Sequence, residues 1–275
     1  MVLAHERQGS GPPLLLIAGI GMDAAAWRPV RTRLAAEREV VMVDLPGFGG
    51  SPALPSDTNP TIDALTDVVE RSLQELGVDR PHAVGNSLGG ALALELARRG
   101  AVASVTAISP IGFWSDAESR FGHMSLRATY SITEWIRPYA RRLVSRPRLR
   151  RLLYGQMFAH AERMTPAEAL AHMDALLRGD GFHATLAQAH GYDFPAGDLP
   201  VPATIAWGTW DALLLPIQAL RARKRLPSAH HVWLRGCGHV PMSDDPEQVA
   251  AVILRGSAVP AAPTRDTARV GASAR

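Results

Sequence analysis

Short, wholly apolar runs alternate with amphipathic stretches along most of this chain. Leu14-Leu15-Leu16-Ile17-Ala18 follows a Gly-Pro turn, and Val40-Val41-Met42-Val43 is a second run of the same kind. Ala83-Val84 ends a third, and Val102 to Ile108 forms a fourth. Ala203-Thr204-Ile205-Ala206-Trp207 and His230-His231-Val232-Trp233-Leu234 follow later. Runs this short and this apolar suit strands covered on both faces, as in a parallel sheet. Between them, helices are expected at roughly Ala24 to Glu37, Ile62 to Leu76, Leu88 to Arg99, Pro216 to Leu226 and Pro246 to Leu254. This alternation predicts an α/β fold with a mostly parallel, doubly wound sheet. Only one short strand fits before Gly11.

The alternation stops between about Ile111 and Leu199. That stretch reads as several helices, broken at Pro138, Pro147, Pro166 and the Gly179-Asp180-Gly181 turn. An all-helical block set into a strand–helix rhythm reads as an inserted cap. The expected organisation is a core over 1–110, a helical cap over 111–199, the rest of the core over 200–256, and a disordered tail over 257–275. The tail is Ala, Pro, Ser, Thr and Arg without periodicity. Inside the cap, seven arginines crowd between Arg137 and Arg151, with Leu149, Leu152 and Leu153 at helical spacing. This reads as a solvated helix with one apolar face. Attraction for an anionic substrate or a membrane surface is the alternative.

Bulk composition narrows the picture only modestly. At 275 residues the chain has room for one large domain, or a domain with a sizeable insertion. A hydrophobic content of 47% with 20% charged residues is ordinary for a globular protein. The net charge of +3 comes almost entirely from arginine and is locally concentrated, so no nucleic-acid footprint follows. The single cysteine, Cys237, excludes an internal disulfide and fits a reducing compartment. Met1 to Gln8 has neither an apolar core nor a small-residue cleavage site, and no apolar run approaches the ~20 residues of a membrane helix. A cytoplasmic protein without stable membrane insertion is expected.

The chemistry concentrates in Gly85-Asn86-Ser87-Leu88-Gly89-Gly90, between an apolar run and a strong helix-forming stretch. A Gly-x-Ser-x-Gly turn between a strand and a helix is a nucleophile elbow. It holds its serine in a strained, exposed position. Gly85 and Gly89 have no Cβ, so strand and helix can approach closely enough to make the turn. The helix that follows aims its free N–H groups at whatever the serine attacks.

A serine hydroxyl needs a base, and the base needs an orienting acid. Ten histidines are present, and position separates them. His239 lies in Gly236-Cys237-Gly238-His239-Val240-Pro241, just after the last expected strand. His230, His231 and His82 lie at the starts of strands, the wrong end. His5 is near the N-terminus, and His123, His160, His172, His183 and His190 lie in the cap. For the acid, Asp211 follows the strand Ala203 to Trp207, again at the carboxyl edge where ligands bind in such folds. Asp244 and Asp245 read as N-terminal residues of the last helix, beside Pro246. Asp44 reads as a turn-stabilising residue. The order Ser87, Asp211, His239 is that of one serine hydrolase fold and not of others. The oxyanion donors are expected to be the Leu88 N–H and, from Gly19-Ile20-Gly21-Met22, the Ile20 N–H.

On these segments the chain resembles the α/β-hydrolase superfamily, in the lidded esterase, lipase and carbon–carbon-bond hydrolase group. The resemblance spans roughly residues 12 to 255. It rests on Leu14 to Trp27, Asp44 to Ser51, the elbow, Trp207-Gly208 with Asp211, and Gly238-His239. Where relatives carry His-Gly at the end of the oxyanion strand, this chain has Ala18-Gly19. Relatives that open epoxides or displace halide carry aspartate at the elbow, so Ser87 argues against those activities. The resemblance implies a serine hydrolase cleaving a carboxylic ester of a small apolar substrate through an acyl-enzyme, with no metal or organic cofactor. Two alternatives stand beside it. The Gly-Asn-Ser elbow and Cys237-Gly238-His239 also resemble hydrolases that cleave the C–C bond of a dienoate-type ketone. A member of the fold that binds a small molecule without turnover is the third.

Overall fold

The computed structural model describes residues 1–258. Seven strands form one sheet: β1 (His5–Gln8), β2 (Pro13–Ile17), β3 (Glu39–Val43), β4 (His82–Asn86), β5 (Ser104–Ile108), β6 (Ala203–Gly208) and β7 (His230–Leu234). Their spatial order is β1-β3-β2-β4-β5-β6-β7. Only β1 runs antiparallel to its neighbour. The register carries Leu16 between Met42 and Val84, and Ala107 between Gly85 and Ile205.

The apolar runs become strands because helices cover both sheet faces. Along β2, Leu15 and Ile17 enter one core with Val41 and Val43, while Leu14 and Leu16 enter the other with Val40 and Met42. This is the period of two of a strand. Helices α2 (Ile62–Glu75) and α3 (Leu88–Arg98) cover the first face. Helix α1 (Arg28–Ala35), entered through a 3-10 turn over Ala24–Trp27, covers the second. β7 departs from the expectation of a strand covered on both faces. His230 and Trp233 are exposed, and only Leu234 is buried. As an edge strand it has a neighbour on one side only.

Between β5 and β6 every regular element is a helix: α4 (Asp116–Ile136), α5 (Ala140–Val144), α6 (Pro147–Tyr154), α7 (Pro166–Arg178) and α8 (Phe182–Ala189). Capping boxes start α4 at Ser115 with Glu118 and α7 at Thr165 with Glu168. Pro147 and Pro166 open helices, where the missing N–H has no acceptor to lose. The arginine-rich stretch is solvated except at Arg150. That residue is buried, and its guanidinium donates to the carbonyls of Val144 (2.5 Å) and Glu162 (2.9 Å). The insertion joins the core through the Tyr192 hydroxyl on Glu95 (2.7 Å) and through Arg221 on Glu118 (2.5 Å).

After β6 come α9 (Ile217–Arg225), α10 (Pro241–Asp244) and α11 (Pro246–Gly256). The expected tail over 257–275 lies outside the described residues from 259 onward. Its first residue, Ser257, is buried and accepts a hydrogen bond from Arg38 Nε (3.3 Å), so it belongs to the core. No helix among the described residues is long and apolar enough to cross a membrane.

Candidate active site

Ser87 stands between the end of β4 and the start of α3, with φ 58° and ψ −118°. This left-handed backbone is strained for a residue with a side chain. Hydrogen bonds hold it there. The Ser87 N–H donates to the Ile108 carbonyl (3.0 Å), and the Ser87 carbonyl accepts from Ala91 N–H (3.1 Å). The flanking glycines are obligatory. A Cβ on Gly85 would lie 1.9 Å from the Gly89 carbonyl oxygen, and one on Gly89 would lie 2.2 Å from that of Ile17.

Asp211 and His239 arrive on the loops after β6 and β7. Asp211 Oδ2 accepts from His239 Nδ1 at 2.9 Å, and both side chains are buried. The other Asp211 oxygen accepts from the backbone N–H groups of Leu213 (3.0 Å) and Leu214 (2.8 Å). Three donors therefore fix the carboxylate, and the histidine ring is held through Nδ1 with Nε2 left available. Neither that Nε2 nor the Ser87 hydroxyl enters a hydrogen bond among the described residues. Ile20 and Leu88 both line a narrow pocket with Ser87. Leu88 is the first residue of α3, so its N–H has no acceptor within the helix. Gly19 brings the Ile20 turn close, since a Cβ there would lie 3.2 Å from Ser87 Cβ.

Two side chains in this region, Asn86 and Asp244, do more than their sequence reading gave them. Asn86 was legible only as a motif letter, yet its Nδ2 donates to the carbonyls of Ile108 (3.1 Å) and His239 (3.0 Å). Both partners are acceptors, which fixes the amide orientation. Asn86 thus ties the backbone of the histidine to the strand that carries Ser87. Asp245 caps α11 through Gln248 N–H (2.9 Å), as expected. Asp244 does not belong to that cap. Its carboxylate accepts from Gly238 N–H (2.8 Å), Ala159 N–H (3.0 Å) and His160 N–H (2.9 Å), joining the histidine loop to the insertion. Asp44 does stabilise turns: it accepts from Ala24 N–H (2.7 Å) and Gly50 N–H (2.8 Å). Burial raises its pKa against those two hydrogen bonds. The Asp44 bond to Ala24 secures the segment just after Ile20.

The insertion roofs the pocket. Trp114, Leu126 and Leu186 give it apolar walls, and two of the five histidines between β5 and β6, His123 and His190, reach it. A second cavity of about 530 Å³ shares Ile20 and Leu126 and runs between the insertion helices to exposed Leu152 and Ile132. Its volume is that of an ordinary small-ligand site.

Comparison with known proteins finds relatives along most of the chain. The chain is 31% identical over 251 residues to a pimeloyl-[acyl-carrier protein] methyl ester esterase of Aromatoleum aromaticum, covering 88% of this chain and 96% of that one. It is 29% identical over 246 residues to the dihydrolipoyllysine-residue acetyltransferase component of an acetoin cleaving system of Pseudomonas putida. That match covers 89% of this chain but spans only 63% of the relative's length. Among solved structures, an esterase from Thermogutta terrifontis superposes with a TM-score of 0.71 at 23% identity, covering 92% of each chain. An enol-lactonase from Burkholderia xenovorans superposes with a TM-score of 0.73 at 19% identity, covering 94% of this chain and 96% of that one. Residues 14–252 match the alpha/beta hydrolase family, and the chain belongs to it.

Proposed function

We propose that the protein is a serine hydrolase that cleaves carboxylic esters through an acyl-enzyme. The observation that carries this reading is the buried 2.9 Å hydrogen bond between Asp211 and His239 at the sheet edge where Ser87 is held in its strained turn. The esterase relative that matches along nearly its whole length supports the choice of ester.

Ser87 Oγ attacks the ester carbonyl carbon, and its proton passes to His239 Nε2. Asp211 keeps the other ring proton on Nδ1 and stabilises the charged ring. The developing oxyanion is held by the N–H groups of Ile20 and Leu88. The tetrahedral intermediate breaks its bond to the alkoxy group, His239 returns the proton to that oxygen, and the alcohol leaves. Water then gives a proton to His239 and attacks the acyl carbon. The carboxylic acid departs, and Ser87 recovers its proton. The sum is ester plus water to acid plus alcohol, using protein groups and water alone. The missing Ser87–His239 hydrogen bond accords with catalytic bonds that tighten only when substrate is bound. The helical insertion acts as a cap that keeps bulk water from the acyl-enzyme.

The test is hydrolysis of a short-chain 4-nitrophenyl ester by purified variants. Ser87→Ala is expected to lose ~10⁴ or more in kcat. Asp211→Asn should lose a comparable factor, ~10⁴, because the histidine tautomer is no longer held. Near wild-type turnover by Ser87→Ala would overturn the mechanism.

A further inference from the structure

One face of α4 forms a wall of the Ser87 pocket. Ser119, Gly122, His123 and Leu126 line it at positions i, i+3, i+4 and i+7. Gly122 is buried in mid-helix, where glycine weakens a helix. Its packing does not demand glycine, because a Cβ built there would meet nothing within 4 Å. The space where a side chain would stand is left to the pocket.

The next residue on that wall carries an unsatisfied polar atom. His123 Nδ1 is buried with no hydrogen-bond partner. Its ring lies 5.1 Å from that of His190. His190 Nδ1 is paired with Ser119 Oγ at 3.0 Å, and Ser119 Oγ also accepts from Gly191 N–H at 3.2 Å. Desolvating an imidazole nitrogen without a partner is costly, and a substrate oxygen or a water seated against it would remove that cost. Apart from Ser87 and this trio, the lining is apolar, and no carboxylate faces the pocket among the described residues. An imidazole N–H therefore has no anion of the protein to donate to.

We infer that His123, supported by the Ser119–His190 pair, is a specificity-determining residue that binds a second carbonyl-type oxygen on the acyl part of the substrate. The inference rests on Ser87 being the nucleophile. The acyl side is assigned because Ser87, Ile20 and Leu88 line this pocket while His239, which must reach the leaving oxygen, does not. The ligand chemistry is an ester whose short acyl chain ends in a keto or carboxylate oxygen. An imidazole N–H at Nδ1 donates to either.

The experiment compares methyl pentanoate, methyl 4-oxopentanoate and monomethyl glutarate as substrates of equal chain length, with acid release followed by titration. The wild type is expected to favour the keto ester, the carboxylate ester or both over methyl pentanoate by about tenfold or more in kcat/KM, since a buried donor is left unpaired by the plain chain. Preference for the keto ester alone identifies a neutral acceptor, and preference for monomethyl glutarate identifies an anion. His123→Phe should bring the ratio close to one, and His123→Gln should restore part of it. If the variants do not fold, inhibition of the wild type by free 4-oxopentanoate and glutarate against pentanoate reads the same ratio. Equal rates and equal inhibition across the series in the wild type would overturn the inference, as would an unchanged ratio in folded His123→Phe. Equal rates on the three esters by the wild type, with Ser87→Ala inactive, sink the subsite alone. Full activity of Ser87→Ala on all three esters sinks the parent reading.

Discussion

At the scale of single residues, the side chains that hold the site matter as much as those proposed to react. The Asp244 carboxylate satisfies three backbone N–H groups that have few other acceptors. Asp244→Ala is expected to destabilise the protein by on the order of 3 kcal/mol in denaturant titration, because buried donors are left unpaired. Its residual activity per folded molecule should remain far above that of Asp211→Asn; the reverse ranking would reassign the acid. Cys237 beside it is fully buried. Burial, with Asp244 and Asp245 nearby, pushes its thiol pKa up to about 12. Thiolate is the reactive form, so a disulfide reagent should modify Cys237 only after unfolding in guanidinium. Rapid modification of the native protein would contradict the packing.

At the scale of elements, α4 gives up helix stability at Gly122 for space. Gly122→Ala should raise stability by about 0.5–1 kcal/mol, measured as a shift in unfolding midpoint. The same variant should lower kcat/KM for bulky acyl chains, because the new methyl enters the pocket. The elements themselves were largely legible in the sequence. β2 to β6 announced themselves as apolar runs because both of their faces are covered, and the elbow glycines because the turn admits no Cβ. β7 was legible as a strand but not as an edge, since edge position depends on which neighbours the rest of the chain supplies. Ser87, Asp211 and His239 could be picked out because each follows its own strand, a local property. Asn86 and Asp244 could not be assigned their contacts, because their partners are backbone groups far along the chain, which leave no side-chain pattern to read. Arg150 was hidden for a similar reason. Nothing local separates one arginine that turns inward to two carbonyls from the solvated ones around it.

At the scale of the whole molecule, two histidines couple stability to pH. Burial lowers the pKa of His82, with Arg38 adding to the effect. Burial also lowers that of His172, against the opposing pull of Asp23 and Glu168. Both groups stay neutral in the folded protein where the unfolded chain, with an ordinary value of 6.5, begins to bind protons. Their contribution is fully present above pH 6.5 and is lost as pH falls through the lower folded values. The thermal midpoint should therefore be flat from neutral pH upward and decline below it, and replacing both histidines by neutral residues should flatten that decline. The Asp244 clamp carries a consequence for recombination between relatives. The helical segment enters from β5 and leaves to β6, yet it is also fastened at Ala159 and His160 to the loop bearing His239. Exchange of that segment for another family member's, spliced only at its two ends, severs that attachment as well. Such a chimaera should fold with a displaced histidine loop and reduced turnover, which recovers when the turn after α6 is transplanted with a matching acceptor at position 244.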